Sequence, residues 1–346
     1  MQLPSIPAFD QQSAHQAGEH QAQLTKPAGS LGRLEELSIQ LAGIQASTHP
    51  QAARKAVIVM AGDHGVVAEG VSAYPSEVTA QMVYNFLAGG AAINVLARQA
   101  GARVSVVDVG VAVDLTPSAN LVQRKVAYGT HNMAIGPAMT KAEAEQAVQV
   151  GIDVVNAQYM LGLDLVATGE MGIGNTTPSS AITALYSGLP VSQVVGRGTG
   201  VDDAGLQRKI AVIERALAIN HPDPSDALDV LSKVGGLEIA GLAGVVIGAA
   251  SHRVAVVIDG FISTAAALIA VRMEPTVQPY IISAHQSVEL GHQALLKLLN
   301  VSPLLDLNMR LGEGTGAVLA FHLVEAAARI LNEMATFDSA GVSHKE

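Results

Sequence analysis

The feature that most limits what this chain can become is a set of six short, nearly continuous apolar runs, at 57–60, 104–107, 163–167, 254–258, 280–283 and 304–309. Long stretches with helical spacing separate most of them. A strand that is apolar on both faces is one covered on both sides, as in a parallel sheet, not a half-exposed strand that alternates. Strand and helix in alternation predict a parallel α/β sheet with right-handed crossovers. In such sheets ligands sit beyond the carboxyl ends of the strands. There the unusual residues collect: Ala61-Gly62-Asp63-His64-Gly65, Asp108-Val109-Gly110, Thr168-Gly169-Glu170, Asp259-Gly260-Phe261 and Ala284-His285-Gln286.

The helices announce several of their ends. Leu34, Leu37, Leu41 and Ile44 repeat at helical spacing, with Ser30 as a candidate N-cap. Thr140 and Glu143 form a capping-box pair. Pro178 falls where the first helical position is expected, and Ser287 can cap the helix leading to Leu299. The longest uncharged apolar run, 239–251, is shorter than the ~20 residues a membrane span needs. It reads as a buried Gly/Ala-rich helix packed closely on a neighbour. Segment 110–139 reads as irregular or as extra hairpins. The helical first 50 residues and the last helix must bury their apolar stripes together. The expected division is a small helical domain from 1–50 and 316–346, and a large α/β catalytic domain over 51–315.

Composition removes whole classes of function. With 20 basic and 30 acidic residues the net charge is −10, and basic residues come at most in pairs, so no face can track a nucleic-acid backbone. There is no Trp to serve as a stacking platform. The absence of Cys excludes disulfides, thiolate metal sites and Cys nucleophiles, and fits a reducing, cytoplasmic setting. The segment 1–10 has neither the basic start nor the apolar core of a signal peptide. No membrane partner is expected.

Three segments can carry chemistry. The first, 169–177 (GEMGIGNTT), follows a strand and opens a helix. Gly172 and Gly174 would let the backbone approach a ligand, and a helix start offers free amides and a positive dipole. It lacks the Gly-Lys-Ser/Thr of a Walker loop and the third Gly of a dinucleotide fingerprint, so alone it is equally a tight strand-to-helix turn. The second, 196–200 (GRGTG), precedes a helix carrying Lys209, either a phosphate-binding point charge or a solvated surface lysine. The third, 310–317 (RLGEGTGA), sets Glu313 between Gly312 and Gly314, where a flat ring could reach the carboxylate; otherwise Glu313 is a turn residue in solvent. His64, His252, His285 and His292 occupy candidate positions, but none stands in a recognised ligand spacing. Hydrogen-bonded loop histidines are expected for His64 and His285, and no metal.

As a set these segments, with 24–35 (LTKPAGSLGRLE), 61–66 (AGDHGV) and 71–79 (VSAYPSEVT), resemble the nicotinate-nucleotide–dimethylbenzimidazole phosphoribosyltransferases, which make the lower-ligand nucleotide of cobalamin. They run in family order from about residue 20 to 335. The resemblance implies a Rossmann-like parallel sheet plus a helical domain from both chain ends. It implies transfer of the 5-phosphoribosyl group of nicotinate mononucleotide to a benzimidazole, with inversion at C1′, no cofactor, and a homodimer whose sites are closed by the neighbouring subunit.

By the same resemblance Glu313 is the base that takes the benzimidazole proton. Glu170 stabilises an oxocarbenium-like ribose or binds its hydroxyls. Gly198, Thr199, Gly200, Lys209 and Ser287 hold the phosphate, beside the helix start at Gly172, Gly174, Asn175 and Thr176. Ser76, Leu311 and Gly312 border the benzimidazole, and Met82 and Tyr84, on the helix after Ser76, are placed to line that pocket. The alternatives fit less well. A Rossmann oxidoreductase wants Gly-x-Gly-x-x-Gly after the first strand, where this chain has Ala61-Gly62-Asp63-His64-Gly65. A pyrophosphate-dependent transferase wants paired acids after a long apolar strand, whereas Asp202-Asp203 follows Gly-Thr-Gly-Val. A nucleotide-binding protein without activity would hold nicotinate mononucleotide unchanged.

Overall fold

A computed structural model of the chain describes residues 1–198 and 200–343. In chain order its elements are α1 (Gln11–Gln23), α2 (Arg33–Gln45), β1 (Lys55–Gly62), α3 (Glu77–Ala88), α4 (Ala92–Ala100), β2 (Ala102–Gly110), β3 (Leu121–Gln123) and α5 (Lys141–Met160). Next come β4 (Leu165–Met171), α6 (Thr176–Ser187), α7 (Val191–Val194), α8 (Asp203–Asn220), α9 (Ala227–Val234) and α10 (Leu237–Ser251). The chain closes with β5 (Ala255–Ile258), α11 (Phe261–Met273), β6 (Ile281–Ser283), α12 (Leu290–Leu299), α13 (Thr315–Glu333) and α14 (Phe337–Ala340).

Among the described residues the six strands are all parallel, in the order β3-β2-β1-β4-β5-β6. That is the doubly wound arrangement in which chain order reverses between the first strand and its neighbour, and the reversal opens a crevice at the strand ends. Here the crevice lies between β1 and β4, where Met60 pairs with Glu170. The α/β reading is borne out, but the sixth strand is not the expected one. Segment 304–309 makes a single bridge, Leu305 with His285, and then leaves the sheet. Pro303 has no N–H to donate, and Asn308 takes a left-handed φ of 54°, so the segment cannot continue a ladder. Its place is taken by β3, three residues inside the segment read as irregular, paired along Val106–Asp108.

Helices α5, α10 and α11 pack together on one face of the sheet, and α4 and α13 on the other. The apolar run at 239–251 is the buried helix expected of it. A Cβ on Gly244 would sit 1.9 Å from the Val148 carbonyl oxygen, so α5 and α10 touch backbone to backbone. Helices α1, α2 and α13 contact one another, with Ala17, Ala42 and Leu331 buried between them. The stretch 77–100 is apolar enough to span a membrane by length and composition. It is not one helix: α3 ends at Gly89, whose φ is 78°, and α4 starts afresh at Ala92.

The Thr140–Glu143 capping box forms as read. Other caps differ. Gly32, not Ser30, precedes α2, and Glu289, not Ser287, precedes α12. Pro178 falls third in α6, still in the first turn, where its missing N–H costs no helical bond.

Candidate active site

Beyond the carboxyl ends of the strands lies a cavity of about 500 Å³. Met82, Glu170, Gly172, Asn175, Thr176, Gly198, Ser287, Leu311, Gly312 and Glu313 line it, so ten residues singled out in the sequence, from five separate segments, converge there. Tyr74, Phe261, Glu289 and Arg310 line it too, without having been singled out as site residues, as does His285, weighed in the sequence only as a metal ligand or a hydrogen-bonded loop residue. Gly174, Gly200, Ser76 and Tyr84 are not in the lining. Ser76 caps α3 by position, and the half-exposed Tyr84 accepts a hydrogen bond from the Thr116 amide at 3.2 Å. Thr199 lies outside the described residues. A wider trough along α13, lined by Glu325, Arg329 and Glu333, lies away from the strand ends.

Glu313 is buried, not a solvent-facing turn residue, and it is held in an unusual backbone state. Its φ is 61°, between Gly312 at 86° and Gly314 at 89°. An L-residue rarely adopts this left-handed region unless the surroundings impose it. Three left-handed residues in succession swing the carboxylate back over the strand ends. A Cβ at Gly312 would lie 2.0 Å from Glu170 Oε1, so the loop passes directly over that carboxylate. The Ile93 amide, in the first turn of α4, donates to Glu313 Oε2 at 3.2 Å. Burial raises the pKa of Glu313; the Ile93 amide opposes the rise, and the nearby charge of Asp259 adds to it.

Glu170, at the end of β4, is buried and receives hydrogen bonds from the Asn175 side chain and the Glu313 amide. Desolvation, with the charges of Asp259 and Glu238, pushes its pKa up to about 8. At neutral pH these surroundings favour the neutral acid of Glu170.

Asp259, at the end of β5, holds the Glu313 loop to the sheet. It accepts from the Gly314 amide at 3.2 Å and the Ala317 amide at 3.0 Å, at the start of α13. Burial raises its pKa although His285 stands 3.6 Å away. On the other flank, His64 at the end of β1 contacts Glu238 Oε1 at 2.8 Å, both fully buried. Burial opposes charge on His64, but the Glu238 carboxylate outweighs it and raises its pKa. His64 is thus a hydrogen-bonded residue, as read, with a partner from α10 that lies far away in sequence.

Lys209 is wholly buried, so the solvated-lysine alternative fails. Its ammonium donates to Thr176 Oγ1 at 2.6 Å and approaches the Gly196 carbonyl at 3.4 Å. It stands behind the cavity wall made by Thr176 and Gly198. Burial lowers its pKa to about 8, against the opposing charge of Glu289. Among the described residues no carboxylate comes within ion-pair distance of it. A buried ammonium with two neutral acceptors is a standing demand for an anion. Ser287 is oriented by His292, whose Nδ1 accepts from the Ser287 amide at 2.9 Å while its Nε2 meets Thr264 Oγ1 at 2.9 Å. Because Thr264 donates to the Gly260 carbonyl, Nε2 carries the proton. Desolvation keeps that ring neutral, with a pKa near 3.

Neither Asp259 nor Glu289 received a role from the sequence, for different reasons. Asp259 carried a signal, an acid at a strand's carboxyl end. Glu289 sits in an ordinary helix start, and nothing local marks it.

The geometry defines a class first: a doubly wound α/β protein whose strand-end crevice holds two buried carboxylates at one end and a cation behind a helix start at the other. A phosphoribosyltransferase family model, DBI_PRT, matches residues 6–342. The chain belongs to this phosphoribosyltransferase family. It is 61% identical over 343 residues to a nicotinate-nucleotide–dimethylbenzimidazole phosphoribosyltransferase of Roseiflexus castenholzii, covering 99% of this chain and 97% of the relative. A protein of the same name from Geobacter sulfurreducens is 56% identical over 341 residues, covering 99% of this chain and 97% of the relative. The crystal structure of a protein so named from Thermus thermophilus superposes with a TM-score of 0.92 at 49% identity, covering 97% of this chain and all of that one.

Proposed function

We propose that this chain transfers the 5-phosphoribosyl group of nicotinate mononucleotide to 5,6-dimethylbenzimidazole or a related base, releasing nicotinate and forming α-ribazole 5′-phosphate with inversion at C1′. One observation carries the reading. Two buried carboxylates, Glu313 and Glu170, enter a single cavity whose other wall is Thr176, Gly198 and Ser287 in front of Lys209.

The leaving group is a pyridinium nitrogen and departs neutral, so no acid is needed there. Positive charge builds instead on the benzimidazole as one nitrogen attacks C1′, until the other loses its proton. Glu313 is the base for that proton; its raised pKa brings it closer to the acidity of the group it must deprotonate. Asp259 and the Ile93 amide are positioning groups that fix its loop and its carboxylate.

Glu170 begins neutral. The cationic pyridinium of the bound nucleotide favours its ionised form, so the charge that steadies an oxocarbenium-like ribose arises when substrate arrives. Met82, Tyr74 and Leu311 form the apolar wall for the base, with Ser76 at the start of the helix that carries Met82.

The same reading includes a homodimer in which a neighbouring subunit covers the cavity, a small helical unit from 1–50 and 316–346 beside the catalytic 51–315, and a cytoplasmic setting. Support for the cover comes from Tyr74 and Leu311, which line the cavity yet are 54% and 57% exposed. Nicotinate mononucleotide incubated with a panel of bases tests the function. Nicotinate should appear only when a base is present, with a riboside phosphate of that base. No nicotinate with any benzimidazole would end the proposal.

A further inference from the structure

The corner proposed for the phosphate already contains an anion. Glu289 precedes α12 and is buried, with 8% of its surface exposed. Its Oε1 accepts from the Gly198 amide at 3.1 Å, while its Oε2 is buried with no partner. The loop is cut away to admit it: a Cβ on Gly196 would lie 1.9 Å from Oε2. The carboxylate therefore uses a backbone amide of the proposed phosphate loop, within the electrostatic reach of Lys209, and leaves one of its own oxygens unsatisfied. An orphaned buried oxygen makes this contact weak for a carboxylate and easy to exchange. Gly198 has a second anchor, because Arg310 Nη1 donates to its carbonyl at 3.2 Å. The loop thus stays tethered when Glu289 lets go.

We infer that Glu289 is an internal occupant of the phosphate position, holding the Gly198 amide until a phosphate displaces it, and that it thereby sets the affinity for phosphorylated ligands. The inference rests on the proposed reading of that corner as the phosphate site. The physical reason is competition between like charges for the same donors. A phosphate reaching Thr176, Gly198 and Ser287 must either displace the carboxylate or sit beside it, and both weaken binding. The occupant also keeps a negative charge within electrostatic reach of Lys209, and its return to the Gly198 amide helps a phosphorylated product leave.

The test compares Glu289→Gln and Lys209→Ala in the full chain. Gln keeps an acceptor for Gly198 and removes the charge. Dissociation constants are measured by calorimetry for inorganic phosphate, nicotinate mononucleotide and, as the reference without phosphate, nicotinate riboside. A pH near 6.5, below the Lys209 value of about 8, favours its protonated form. Glu289→Gln should tighten phosphate and the mononucleotide by about tenfold, the scale of one removed like charge at partly screened distance, with a much smaller change for the riboside. Lys209→Ala should weaken the same two ligands. If Lys209→Ala weakens them and Glu289→Gln leaves them unchanged or weaker, Glu289 is a strut and the inference fails while the phosphate site survives. If Lys209→Ala has no effect on phosphate, the phosphate site itself falls and the inference with it. Should Glu289→Gln misfold, Glu289→Asp withdraws the charge by one methylene from Gly198 and must tighten phosphate too, or the inference is wrong.

Discussion

Replacing Glu313 by Gln removes the proposed base and changes little else. The side chain keeps its length, and its amide oxygen can still accept from the Ile93 amide. The left-handed backbone at φ 61° is imposed by the flanking glycines and by Asp259, which the substitution does not touch. The fold and the nucleotide end of the cavity should persist. General-base contributions run from about 10²- to 10⁴-fold, so turnover should fall at least ~10²-fold, equivalent to roughly 2.7 kcal/mol on the barrier. The pH profile is the sharper readout. A base works once deprotonated, so wild-type turnover rises with pH through the pKa of Glu313. Burial and Asp259 raise that pKa against the opposing Ile93 amide, which shifts the acidic limb upward from where an exposed glutamate would put it. In Glu313→Gln the limb should disappear. Steady-state release of nicotinate with dimethylbenzimidazole at saturating nicotinate mononucleotide, where the bound pyridinium already holds Glu170 ionised, followed from about pH 5 to 9, decides it. Near-wild-type turnover at neutral pH, or a variant that keeps the same limb, would show that another group takes the proton.

Lys209→Ala should raise KM for nicotinate mononucleotide by about one to two orders of magnitude, as expected for loss of a charge-assisted contact of roughly 1.5–3 kcal/mol; equal damage with nicotinate riboside would make the lysine structural. Glu170→Gln should stabilise the ligand-free protein. The folded-state pKa of about 8 lies above the unfolded one, so between the two values the native state binds more protons and wild-type stability falls as pH rises. The melting-temperature gain of the variant should therefore grow from pH 5 to pH 8, and a gain that shrinks with pH would contradict the assigned burial. Gly244→Ala should destabilise by about 1–3 kcal/mol through overpacking, because its methyl meets the Val148 carbonyl of α5, and denaturant melts read this directly.

Local pattern and tertiary context divide this protein cleanly. The apolar runs that became β1, β2, β4, β5 and β6 were legible because a strand buried on both faces must be apolar along its length. The same logic placed Glu170, Asp259 and His285 at strand ends, and the Gly/Ala character of α10 announced its close contact with α5. The sixth strand was not legible. Leu121–Gln123 pairs through three residues of backbone with Val106–Asp108, and backbone hydrogen bonds leave no signature in side-chain pattern. The fate of charged groups was hidden for a related reason. Lys209 and Glu289 look like ordinary helix residues in the chain, yet one is fully buried behind Thr176 and the other holds Gly198 from 91 residues away. Desolvation and Coulomb interaction sum over every atom nearby in space, whatever its position in sequence. The residue types of the site were therefore set by the sequence alone, whereas their protonation states, their partners and the one acid that contests the phosphate corner were decided by how six strand ends came together.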